Sequence, residues 1–155
     1  MSKQAHIFQL NVSDGGVPKR PLPAADVHTL GMQGDRQNDT VHHGGPTRAI
    51  CLYSLEIILA LQAEGHPIYP GAVGENVTVA GLDWERMVPG TRLRLGEVEV
   101  EITSYVVPCT NIRQAFAGEV FSRISQKTNP GWARVYAQVL QPGKLQIGDA
   151  VVVHE

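Results

Sequence analysis

The sequence predicts a mainly β fold with helices, an α+β arrangement built as a closed or partly open β-barrel carrying two or three peripheral helices. Three observations predict it. In 155 residues, 16 glycines and 10 prolines demand many turns and therefore many short strands. Apolar and polar residues alternate with period two in several runs. The elements do not follow the βαβα order that builds a doubly wound parallel sheet.

Taken in order, Ile7, Leu10 and Val12 alternate with one slip, and Val27 and Thr29 follow "SDGGVPKRPLP", a loop at 13–23 with three prolines. "TRAICLY", 47–53, is a continuous β-prone run. Ser54 then reads as an N-cap and Gly65 as the residue past the C-cap of a helix over 55–64, with Leu55, Ile58, Leu59 and Gln62 on one face that Ile57 and Leu61 widen. "HPIYPGAVGEN" excludes regular structure, and "VTVAGL" is a short strand. The clearest strand pair is "TRLRLGEVEVEIT", where Leu93, Leu95, Val98, Val100 and Ile102 alternate with charged residues across a turn at Gly96. Ile112, Ala115, Phe116, Val120 and Ile124 then set a helical period, capped by Thr110 or Asn111 and weakened at Gly118. "GWARVYAQVLQPGKLQIGDAVVVHE" gives a strand, a Pro-Gly turn and a closing strand at 149–154. No linker or repeat interrupts this series, so residues 1–155 are taken as a single domain.

The charge balance bounds the function. A net charge of −2 with no Lys/Arg run lacks the electrostatic footprint of duplex nucleic-acid binding. The N-terminal segment has no signal-peptide pattern, and the most apolar stretch, "AICLYSLEIILAL", is broken by Ser54 and Glu56, so no membrane partner is expected. Two cysteines 58 positions apart form no disulfide framework and no C-x-x-C knuckle, which points to a cytoplasmic protein with free thiols.

Three stretches carry candidate chemistry. In "SYVVPCTNIRQAF", Cys109 falls between an extended segment and a helical one, where a helix N-terminus would favour the thiolate. Buried apolar filler is the competing reading, and the local residues leave both open. Cys51, inside "RAICLY", reads as inert core. In "GDRQNDTVHHGGPTR", glycines after His43 would let backbone N–H groups approach an anion and Arg48 would add a charge; adjacent histidines argue against a zinc site. In "PGAVGENVTV", Gly74, Glu75 and Asn76 stand at the mouth of a strand, where a turn is the simpler reading. Lys3, Lys19, Lys127 and Lys144 fall in turns, termini or polar helix positions, and none is identified as a Schiff-base lysine.

In this order, "GDRQNDTVHHGG", "PGAVGENVTVAGL", "RLRLGEVEVEIT", "PC" at 108–109 and "GWARVYAQVLQPGKLQIGDAVVV" resemble the MOSC domain, the module named for the C-terminal part of molybdenum-cofactor sulfurases. The resemblance spans residues 30–153 and implies a barrel-like fold whose cysteine faces a pocket. Carried over, it implies Cys109 as metal ligand or sulfur carrier, and His43, Gly44, Gly45, Arg48, Gly74, Glu75 and Asn76 as residues binding the molybdenum cofactor, molybdopterin. It further implies reduction of N-hydroxylated compounds as the activity, with a small-molecule substrate and a redox partner protein that supplies electrons. The alternative is a persulfide carrier or cofactor-handling protein, loaded by a cysteine desulfurase and without turnover of its own. A third is a barrel that binds only a generic anion. Many relatives read Pro-Arg-x-Pro-Cys; here Tyr105 and Val106 occupy the Pro-Arg positions, and Arg48 or Arg113 would have to supply the cation.

Overall fold

The structure, a computed structural model, describes residues 4–36 and 45–155. Eleven strands form two sheets: β1 His6–Val12, β2 Arg20–Leu22, β3 Ala24–His28, β4 Gly31–Met32, β5 Ile50–Ser54, β6 Val77–Ala80, β7 Arg92–Leu95, β8 Val98–Tyr105, β9 Val135–Gln141, β10 Gly143–Gln146 and β11 Val151–Val153. Eight of them make one sheet in the order β11-β7-β8-β9-β5-β6-β1-β2, and β10-β3-β4 make a second. The mainly β expectation holds in this coarser form.

The larger sheet is not a closed barrel. Its ladder runs out at β11, and the gap to β1 is spanned by a single antiparallel bridge, His6 to Ala150, with Val151 N–H donating to the Ala5 carbonyl at 2.9 Å and Ile7 N–H to the Asp149 carbonyl at 2.9 Å. The Pro-Gly turn expected at 142–143 does not return β9 upon itself. Pro142 has no N–H to donate, so pairing stops there, and β10 crosses to β3 with Leu145 opposite Ala25.

The strand pair β7–β8 forms as the alternation requires, with Leu93 opposite Val100 and Leu95 opposite Val98, all buried. β5 pairs in parallel with β6, and helix α1, Leu55–Ala63, makes the crossover between them. Ser54 Oγ accepts the Ile57 N–H at 3.2 Å as the N-cap, and Gly65, at φ 101°, follows the helix end. Its buried face is Ile58 and Leu61 rather than Leu59 and Gln62; Leu59 is 50 % exposed, and Gln62 donates to the Ile68 carbonyl at 2.8 Å.

Three other expectations are corrected. The loop at 13–23 contains β2, because Arg20, Pro21 and Leu22 sit on an edge of the sheet, where a proline costs no ladder bond. Residues Pro46–Arg48 are a 3-10 turn ahead of β5. Most consequentially, the helix expected from Ile112 to Ile124 is three 3-10 turns, Thr110–Ala115, Ala117–Glu119 and Phe121–Ile124. Gly118 at φ 65° and Glu119 at φ 60° leave helical space and divide the segment; Ile112, Ala115, Phe116 and Ile124 remain buried, but Val120, just past the break, is exposed. Among the described residues, no helix is long and apolar enough to cross a membrane.

Candidate functional site

β8 ends at Tyr105, and the Val106 N–H donates to the Arg134 carbonyl at 2.9 Å, which fixes the direction of the chain into Val107, Pro108 and Cys109. Cys109 is extended, at φ −138° and ψ 177°, and opens the first 3-10 turn. A turn this short carries little dipole, so the helix-terminus argument for its thiolate does not apply. What surrounds the thiol matters more.

Cys109 lines a cavity of about 380 Å³ whose wall includes Lys19, Arg36, Arg113, Arg134, Cys51 and Tyr136, and among the described residues no carboxylate lines it. Four cations on one concave surface, in a chain of net charge −2, make this an anion site by chemistry. Two of the four are buried. Lys19 is 5 % exposed and meets the Asp35 carboxylate at 2.6 Å. Arg134 is 6 % exposed; its Nη1 donates to the Val73 carbonyl at 2.5 Å, while its Nε has no hydrogen-bond partner among the described residues. A buried guanidinium N–H without an acceptor is costly, and it is relieved by an anionic ligand.

The thiol of Cys51 shares this cavity, from β5, directly across the ladder from Tyr136 on β9. Burial pushes its pKa up to about 11, so it is a protonated thiol near neutrality. Burial also raises the Tyr136 hydroxyl above the ordinary tyrosine range. Arg48 lies with its guanidinium carbon 5.7 Å from the centre of the Tyr136 ring. It therefore flanks the wall without lining the cavity.

The Gly-Glu-Asn loop has a different place from the one the resemblance implies. Only Gly74 of the three reaches the cavity; Glu75 and Asn76 are fully buried behind it. Glu75 accepts from the Gly71 N–H and from Thr78 Oγ1, each at 3.0 Å, and its Oε1 has no partner among the described residues. Desolvation raises its pKa. Asn76 binds the backbone of Cys51 from both sides, its N–H donating to the carbonyl at 2.8 Å and its Oδ1 accepting the Cys51 N–H at 2.9 Å. Its Nδ2 donates to Asp35 at 2.8 Å. Asp35, from the Gly-Asp motif, thus ties Lys19, Asn76 and the Ser13 N–H together.

The N–H groups of both glycines in this loop are already used, since Gly74 N–H donates to the Gly71 carbonyl and Gly71 N–H to Glu75. The loop's glycines instead allow close approach. A Cβ at Gly71 would lie 2.5 Å from the Lys19 carbonyl oxygen, and Lys19 N–H donates to the Gly71 carbonyl at 2.9 Å. Gly71 is therefore what lets the segment at Lys19, just ahead of β2, press against the loop while its ammonium lines the cavity. Of the other loop, Gly45 is exposed and outside the cavity wall, and His43 and Gly44 lie outside the described residues.

Lys19, Arg36, Arg134 and Tyr136 line the cavity though residue-level reading gave them no site role, and Cys51, read as inert core, lines it as well. Arg134 left a signal: a lone arginine between Ala133 and Val135 in an apolar strand needs a buried counter-group or ligand. Lys19 left none, because its neighbour Asp35 is distant in sequence.

Comparison with known proteins bears on the family and the fold. The model of the family described as MOSC domain matches residues 39–152. The chain is 33% identical over 135 residues to the uncharacterized protein YflK of Bacillus subtilis (strain 168), covering 86% of this chain and 60% of that protein. It is 31% identical over 121 residues to protein YiiM of Escherichia coli (strain K12), covering 75% of this chain and 53% of that protein. It thus spans little more than half the length of these relatives. In fold, it superposes on the YUAD protein of Bacillus subtilis with a TM-score of 0.78 at 19% identity, covering 99% of this chain and 97% of that one. On YiiM from Geobacillus stearothermophilus the TM-score is 0.74 at 23% identity, covering 97% and 75%. With a family match over residues 39–152 and a relative 33% identical over 86% of this chain, the chain belongs to the MOSC domain family.

Proposed function

We propose that the cationic cavity holds the molybdenum cofactor, with Cys109 as its protein ligand to molybdenum, and that the protein reduces N-hydroxylated compounds. The observation that carries this reading is the Cys109 thiol beside four cations, one of them a buried arginine with an unused donor. A soft thiolate suits a transition metal, and molybdopterin is anionic through its phosphate, so the donor set fits the group. When bound, the cofactor supplies two-electron oxygen-atom chemistry at the metal. The chain's own contribution is to bind and orient. Lys19, Arg134, Arg113 and Arg36 would neutralise and position the anionic end, and Cys109 would fix the metal end.

The overall conversion takes R–NHOH, two electrons and two protons to R–NH2 and water, the electrons coming from a partner reductase. The test is metal content. Protein purified from a host that makes the cofactor should contain molybdenum, and Cys109→Ser should lose it. If wild type and variant are equally free of metal, the reading fails.

A second reading, a persulfide carrier without turnover, is favoured by a different observation: Cys51 presents a second thiol to the same cavity. After incubation with a cysteine desulfurase and cysteine, intact mass should show one added sulfur, lost in Cys109→Ser. A mass unchanged under conditions that load an established carrier excludes this second reading.

A further inference from the structure

A second depression opens beside the Cys109 cavity. It is about 270 Å³ and is lined by Val17, Pro18, Pro67, Tyr69, Ala72, Asn111, Ile112, Gln114 and Ala115. Val17, Asn111, Ile112 and Gln114 line both cavities, so the two share a wall formed by the residues just after Cys109. Their chemistry differs sharply. The first is cationic, whereas no ionisable side chain other than the Tyr69 phenol lines the second.

We infer that this side chamber is a specificity subsite, taking the flat, uncharged ring of a substrate whose reacting group lies at Cys109. The inference rests on the proposed reaction site but concerns residues that reading leaves unused. Tyr69 is 48 % exposed with no hydrogen bond from its hydroxyl to described residues, a large aromatic face kept open beside two proline rings. Aromatic and proline faces reward a planar apolar body. A charged group entering here would lose hydration without gaining a counter-ion. The carboxamides of Asn111 and Gln114 make no side-chain hydrogen bond to described residues, and together they offer donors and acceptors to a neutral polar edge. The chamber is slightly below the roughly 300–1,000 Å³ typical of pockets for drug-sized ligands, which suits one ring system rather than a cofactor. The division of labour is then spatial: anionic end among the arginines, neutral ring against Tyr69.

The experiment uses benzamide, a neutral planar probe with an amide edge, in ligand-observed saturation-transfer NMR on the purified protein. Wild type should transfer saturation to the benzamide ring protons. Tyr69→Ala combined with Gln114→Ala should weaken binding by about fivefold or more, Tyr69→Phe should retain it, and inorganic phosphate in the cationic cavity should not displace it. No transfer in wild type, equal transfer in the double variant, or displacement by phosphate would overturn the inference. The readout needs neither molybdenum nor turnover, so its outcome is independent of the metal analysis. In molybdenum-loaded protein Tyr69→Ala alone, which lines only the side chamber, should raise KM for phenylhydroxylamine about fivefold while sparing kcat and leaving N-methylhydroxylamine unaffected. A loss of kcat for both substrates would instead mark a structural lesion and count against the subsite.

Discussion

Cys51 and Cys109 face one cavity but differ in what each thiol can do. Cys51 is 5 % exposed, its backbone is clamped by Asn76, and its pKa of about 11 leaves roughly one thiol in a thousand ionised at pH 8. Cys109 is partly exposed at the cavity wall. Iodoacetamide at pH 8 should therefore alkylate Cys109 first and spare Cys51 until the protein is unfolded, as peptide mass mapping would show. Alkylation of Cys51 at a comparable rate would mean that its wall opens in solution. The sequence places Cys51 in an apolar run, and its burial agrees. Its presence at the cavity is a tertiary fact, set by the pairing of β5 with β9, and no local pattern encodes that.

At the scale of elements, β6 and the loop before it act as one hydrogen-bonded unit around Glu75. The carboxyl is wholly buried, its Oε2 is satisfied and its Oε1 is not, so the charged form is disfavoured and the folded-state pKa is raised. The sign of the linkage follows. A raised folded pKa means that the native state holds the proton over a range where the unfolded chain has released it. Stability from this group is complete below the unfolded glutamate value of about 4.3 and is lost as pH rises through the folded value. Glu75→Gln, which cannot ionise, should remove that decline. Urea midpoints at pH 5 and pH 8 should lie closer together in the variant than in wild type, and an unchanged gap would assign the pH dependence elsewhere.

The helix expected over 112–124 fails at the same scale for a clear reason. Its apolar spacing holds in part, since Ile112, Ala115, Phe116 and Ile124 are buried while Val120 is 53 % exposed. A 3-10 turn and an α-turn bury similar positions over one turn, and only Gly118 marks the break. The β7–β8 pair was legible because alternation and the turn at Gly96 agree with each other.

For the whole molecule, family membership and the mainly β architecture were readable from motifs in order, while closure of the barrel was not. Closure depends on how the last strand meets the first, and here that meeting is a single bridge between His6 and Ala150. The site was legible only in part for a related reason. Lys19 and Arg134 come from opposite ends of the chain, and a buried cation looks like any other in a sequence until its neighbours are known.

The cationic wall also has a thermodynamic consequence. Lys19 and Arg113 already face carboxylates, Asp35 at 2.6 Å and Glu119 at 3.5 Å, but Arg134 Nε has no acceptor among the described residues, so an anion that pairs with it stabilises the folded state over the unfolded one. At about a hundredfold excess over its dissociation constant, a ligand adds roughly 2.7 kcal/mol, or several degrees of melting temperature in a domain of this size. Inorganic phosphate should produce such a rise, and Arg134→Gln should blunt it. A melting curve thus becomes a ligand screen: heating the protein through a panel of anions should rank them by how well each discharges the cavity, before any reaction has been assayed.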